Sequence, residues 1–113
     1  MESMVPTWSE NNKNQIVVKT LGADGAVIFD HGEKIIIKPC KAKIVADPTG
    51  AGDAWRAGFL TGIYNGFDLK ISGQMGAVAG AYAVESYGGQ EHTYTVSEFK
   101  KRYLKTYGHL LHL

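Results

Sequence analysis

The chain has 113 residues, 12 Lys and Arg against 11 Asp and Glu, and a formal net charge of +1. That length holds one domain at most and excludes a two-domain enzyme, while the charge balance leaves no footprint for nucleic acid or an anionic membrane surface, so a small neutral ligand or a compact anion is the expected partner. One cysteine, Cys40, excludes an intramolecular disulfide and a Cys-rich zinc site and points to a reducing, cytoplasmic setting.

Residues 1–14, with Pro6 and the polar run SENNKN, read as an irregular lead-in without the charged and apolar regions of a signal peptide, and no later run reaches membrane-spanning length. QIVVKT (15–20) is a short β-branched run suited to a buried strand. LGADG (21–25) is a glycine-punctuated turn. AVIFDHGEKIIIKP (26–39) holds two apolar runs broken by Asp30, His31 and Gly32, the pattern of a hairpin. KIVADPTGAGD (43–53) begins as a fourth short strand, which Pro48 and Gly50 stop.

From Ala54 the period changes. Trp55, Phe59 and Ile63 stand four apart on one helical face, and Asn65 with Gly66 ends the helix. LKISGQMGAVAGAYAVESYGG (69–89) predicts a second helix, whose small residues permit close packing although glycine weakens it. TVSEFKKRYLKTYG (95–108) predicts a third, with Thr95 and Glu98 in capping-box spacing and Val96, Phe99 and Tyr103 on one face. Lys100, Lys101, Arg102 and Lys105 on that helix read as a solvated face. Residues 108–113, with His109 and His112, read as a frayed terminal tail rather than a metal site. Strands first and helices later predict an α/β layered unit. Its sheet is expected to be parallel and incomplete, with an unpaired edge that favours self-association.

The stretch DPTGAGDAWRAGFL (47–60) carries the chemistry. A helix N-terminus presents unpaired amides and the positive end of the dipole, and so attracts anions. Glycines at 50 and 52 let a ligand approach the backbone, and the amides around Gly50, Ala51, Gly52 and Asp53 would line the pocket. A carboxylate in that turn repels a phosphate unless it faces a second substrate. Phosphoryl transfer needs that arrangement, because an Asp accepts the proton of the attacking hydroxyl. The competing reading is structural: Asp in a first turn complements the dipole, and Gly before a helix makes a tight turn. Neither GxxxxGK[ST] nor GxGxxG is present. Trp55 reads as core, Arg56 as solvent-facing and Cys40 as structural.

The same stretch resembles the second signature of the ribokinase-like (PfkB) family of sugar and nucleoside kinases. VVKTLGADGAVIF is similar to the family's strand and turn beside ATP, and AVAGAYAVESYGGQ to its helix and glycine turn closing the nucleotide site. The likeness runs over residues 15–107. It implies the three-layer α/β/α fold, here its C-terminal nucleotide-binding part, with a β-hairpin followed by three helices. It implies Asp53 as catalytic base and the amides of Gly50, Ala51 and Gly52 as the anion hole. Thr20, Gly22 and Gly25 would contact the nucleotide, and Ala77 and Gly80 would flank the adenine. Asp47, Thr49 and Gly88 would lie near a monovalent cation such as K+. ATP with Mg2+ would be the donor and a sugar or nucleoside hydroxyl the acceptor. Members of that family are much longer, and their N-terminal part supplies the acceptor site, a lid and further strands. Two readings follow: the catalytic part of a kinase that works with a missing N-terminal half, or a nucleotide- or phosphate-binding fragment with no turnover. A Rossmann-type oxidoreductase piece is disfavoured by the absent dinucleotide fingerprint.

Overall fold

A computed structural model describes residues 15–45, 50–85 and 94–113. Strands β1 (Ile16–Thr20), β2 (Ala26–Asp30) and β3 (Glu33–Ile37) precede helices α1 (Ala51–Tyr64), α2 (Leu69–Val84) and α3 (Val96–Tyr107). The sheet has the order β1-β2-β3, and both pairs are antiparallel: β2–β3 is the expected hairpin, whereas β1–β2 replaces the parallel pairing expected of the sheet. The loops decide this. His31 and Gly32, both at positive φ (52° and 92°), join β2 to β3 in two residues, which reverses the chain, whereas a parallel pair needs a crossover of a dozen or more. A short 3-10 turn, Gly22–Asp24, joins β1 to β2, closed by the Leu21 N–H donating to the Gly25 carbonyl at 2.8 Å. Gly25 has φ 97°, and a Cβ there would collide with the Ile37 carbonyl, so this turn requires glycine.

The expected fourth strand does not appear in the described residues up to Val45. There the Lys43 N–H donates to the Glu85 carboxylate at 2.6 Å, so a side chain takes the amide that a ladder would have used. The N-terminal lead-in and Ala46 to Thr49 lie outside the described residues.

One face of the sheet, with Val18, Ala26, Ile28 and Ile37, packs with Trp55 and Phe59 of α1 and Ala77 of α2 in a single apolar cluster. The two helices meet backbone to backbone, as their small residues predict. A Cβ at Gly58 would stand 2.8 Å from the Met75 carbonyl oxygen, and one at Gly76 would stand 2.7 Å from that of Trp55. Gly62 also shifts the contact face of α1. A Cβ there would stand 2.6 Å from the Ser72 hydroxyl, so Ser72 packs into that gap, Gly62 is buried and Ile63 is 41% exposed. The predicted core face of α1 therefore keeps Trp55 and Phe59 and loses Ile63.

Helix α3 has the predicted capping box: the Glu98 N–H donates to Thr95 Oγ1 at 3.1 Å and the Thr95 N–H to Glu98 Oε1 at 2.8 Å. Phe99 and Tyr103 are buried, whereas Val96, in the first turn, is exposed. The Tyr103 hydroxyl donates to the buried Gln74 at 2.5 Å, and burial pushes its pKa up to about 12. The segment after α3 is docked rather than frayed. Gly108 caps the helix at φ 82°, the His109 ring meets Tyr103 edge-on at 5.2 Å, and Leu111 is buried.

Candidate functional site

Helix α1 starts from Gly50 in the left-handed region, φ 85°, an N-cap residue without a side chain to cap the turn. The helical ladder begins with the Ala54 N–H donating to the Gly50 carbonyl at 2.9 Å. The amides of Ala51, Gly52 and Asp53 lie ahead of that ladder, where a helix offers donors to an anion. Among the described residues, a Cβ on Gly52 would meet nothing within 4 Å. The Asp53 side chain is 84% exposed, one turn from Arg56, whose Nη2 lies 3.6 Å from Asp53 Oδ1. Arg56 thus faces Asp53 rather than solvent alone. The four residues expected to form the anion hole and base are consecutive, and the helix start presents them together.

Trp55 is buried as expected, stacked on Phe59 with ring centroids 5.3 Å apart. Its indole Nε1 is buried with no hydrogen-bond partner among the described residues. Gly80 rides on the first turn of α1, where a Cβ would stand 3.6 Å from the Ala51 carbonyl oxygen. Ala77, 8% exposed, lies in the cluster with Trp55 and Val18. Thr20 ends β1 opposite Ala26, and Gly22 sits in the next turn at φ 60° with open space where a Cβ would be. Gly25 serves the backbone of that turn. Because Val18 and Ala26 share the cluster of Trp55 and Ala77, one core supports the β1–β2 turn, the start of α1 and the middle of α2. Asp47, Thr49 and Gly88, expected near a monovalent cation, lie outside the described residues. Among the described residues no group of three or more His, Cys, Asp or Glu is placed to hold a metal, and no helix is long and apolar enough to cross a membrane.

Sequence reasoning missed Arg102, which it assigned to a solvated face. Its side chain is 10% exposed and that of Glu85 is 16% exposed. Arg102 Nη1 donates to Glu85 Oε1 at 2.9 Å, Nη2 donates to the Lys41 carbonyl at 3.0 Å, and the guanidinium lies 4.5 Å over the Tyr82 ring. The signal was present, since Arg102 is three residues after Phe99 and adjacent to Tyr103, at the rim of the buried face. Cys40 is half-buried, its Sγ 3.5 Å from Thr106 Oγ1, as a structural residue should be.

The Arg102 guanidinium beside Glu85 holds that carboxyl below its ordinary value of 4.5, with burial opposing and the Lys43 N–H assisting. A folded-state pKa below the unfolded one gives stability that is present above 4.5 and lost as the pH falls through the folded value. Glu98, lowered by its bonds to Thr95, acts in the same direction. The melting midpoint is therefore expected to drop on acidification below 4.5, with a shallower drop in Glu85→Gln. Circular-dichroism melts from neutral to acid pH test this, and equal slopes in parent and variant would assign the loss to other carboxylates.

The sequence profile of the family described as "pfkB family carbohydrate kinase" matches residues 3–95. A nucleoside kinase of Methanocaldococcus jannaschii is 45% identical over 74 residues, which cover 66% of this chain and 24% of that protein. A nucleoside kinase of Methanothermobacter thermautotrophicus is 38% identical over 95 residues, 83% of this chain and 30% of that protein. The solved structure of Burkholderia thailandensis nucleoside kinase in complex with ADP-inosine superposes with a TM-score of 0.86 at 34% identity, covering 91% of this chain and 33% of that one. The chain thus spans about a quarter to a third of the length of these relatives.

Proposed function

We propose that this chain, which belongs to the pfkB family of carbohydrate kinases, is the nucleotide-binding and phosphoryl-transfer part of an ATP-dependent kinase acting on a hydroxyl of a sugar or nucleoside. The observation that carries this is the start of α1: a left-handed Gly50, amides ahead of the helical ladder, a Gly52 whose Cβ would meet no described residue within 4 Å and an exposed Asp53 in the same turn. That geometry fits a polyphosphate approaching the backbone. Asp53 takes the proton of the acceptor hydroxyl as its oxygen bonds to the terminal phosphorus of ATP, and the phosphorus–oxygen bond to ADP breaks with its electron pair leaving on ADP. The amides of Gly50, Ala51 and Gly52 hold the charge on the transferring group. Magnesium, arriving with the ATP phosphates, would offset part of their charge. Thr20, Gly22, Ala77 and Gly80 take the nucleotide side. Asp47, Thr49 and Gly88, which lie outside the described residues, would hold a potassium ion as the family resemblance implies.

A second reading is a nucleotide- or phosphate-binding chain without turnover, which rests on the same helix start. Both readings require phosphate at the same turn. Calorimetric titration of magnesium-ATP into the chain is expected to show binding that Gly52→Val weakens by about tenfold or more, by adding bulk over the turn. The variant should melt near the parent, because its added Cβ meets nothing within 4 Å among the described residues. Equal affinities would remove the turn as the phosphate site, and no binding by the parent would sink both readings.

A further inference from the structure

The Glu85–Arg102 pair ties together the end of α2, the middle of α3 and the backbone of residues 41–43. Glu85 follows the last residue of α2. Its carboxylate accepts from the Lys43 N–H at 2.6 Å while Arg102 Nη2 reaches the Lys41 carbonyl at 3.0 Å, so a carboxylate and a guanidinium grip the backbone of 41–43 from both sides. Gly50 lies seven positions further along the sequence from Lys43. Arg102 itself is stacked over Tyr82, whose ring is stacked on Tyr94 with centroids 4.3 Å apart. A second route runs along α2. Glu85 is five residues beyond Gly80, about 7.5 Å along the helix axis, and Gly80 lies against the first turn of α1 at Ala51.

We propose that Glu85 and Arg102 are positioning residues for the Gly50–Asp53 turn, a half-buried clamp that fixes both the 41–43 backbone and the helix on which the turn rests. The proposal rests on the reading of that turn as the phosphate site. A buried ion pair is weak support for stability alone, since apolar residues of similar size often replace such a pair without loss. What they cannot replace is the acceptor for the Lys43 N–H and the donor to the Lys41 carbonyl. The clamp therefore predicts that positioning and stability separate.

The experiment is heteronuclear NMR of the full chain beside two variants, the double variant Glu85→Leu with Arg102→Met, and Arg102→Lys. In the double variant the melt is expected to stay within a few degrees of the parent. The Lys43 cross-peak moves, and those of Gly50, Ala51, Gly52 and Asp53 shift or broaden, while Val17 and Ile28 in the sheet stay in place. Arg102→Lys keeps the charge but loses the fork that spans Glu85 and Lys41, so it gives a smaller shift of the same peaks and reads the clamp even if the double variant does not fold. Turn peaks that stay in place in Arg102→Lys, or that move only in step with loss of the whole fold, overturn the proposal. Magnesium-ATP affinity forms a separate arm. Where the parent binds, the variants should weaken binding by about tenfold. A parent that does not bind refutes the phosphate reading, and the NMR arm still decides the clamp.

Discussion

Asp53→Asn is expected to lower the rate of phosphoryl transfer by about 10²- to 10⁴-fold, the range lost when a general base is removed. The amide keeps the shape of the side chain and its place in the first turn of α1, but it cannot hold a proton taken from an acceptor hydroxyl. Stability should barely change, because the side chain is 84% exposed and its contact with Arg56, at 3.6 Å, is a surface pair. Nucleotide affinity should hold or rise slightly, since a negative charge beside the incoming phosphates is lost. The measurement is ADP release with a panel of sugars and nucleosides as acceptors, with magnesium-ATP titration alongside. Variant and parent turning over at the same rate would remove Asp53 as the base and leave it a dipole-complementing residue. A parent that binds nucleotide yet transfers phosphate to no acceptor would favour the binding-fragment reading.

Gly76→Val should cost the most stability of any single change considered, about 1–3 kcal/mol from overpacking. A Cβ at this position would stand 2.7 Å from the Trp55 carbonyl oxygen and 2.8 Å from Trp55 Cδ2, so neither the backbone of α1 nor its largest core side chain has room to yield. The helices would have to separate, which opens the cluster that also holds Val18, Ala26 and Ile28. For a domain of this size the expected fall in melting midpoint is about 5–15 °C. Because Trp55 follows the proposed phosphate turn by two residues, nucleotide affinity should fall with it. A melt unchanged from the parent would mean that α1 and α2 are not packed backbone to backbone.

Residues whose structure depends on close neighbours in the chain were legible in advance. The Thr95–Glu98 capping box lies within one helical turn, and spacing alone predicts it. The hairpin at His31–Gly32, the helix end at Asn65–Gly66 and the burial of Trp55, Phe59, Phe99 and Tyr103 are equally local. The Gly50–Asp53 turn belongs with them, since a helix start is written in consecutive residues, and its likeness to a kinase signature could be read directly.

Long-range placement was not legible in the same way. The direction of β1 was misjudged, because apolar runs of this length look alike in parallel and antiparallel sheets and the longer LGADG turn does not decide between them as the two-residue loop does for β2 and β3. Ile63 and Val96 have the right helical period, yet Ser72 packing into the gap at Gly62 turns the face of α1, and the first turn of α3 leaves Val96 outside. The expected fourth strand near Lys43 yields its amide to Glu85, 42 residues away. Arg102 was hidden for the same reason: among three lysines it reads as solvated charge until Glu85, Lys41 and Tyr82 arrive from elsewhere in the chain. The sequence by itself determined the helices, their caps, the glycine turn and the family, all of which rest on interactions spanning a few residues. Tertiary structure alone decided the direction of β1 against β2, the near-burial of Arg102 and the grip on the backbone of 41–43, because a side chain's environment is set by groups that sequence spacing does not bring together.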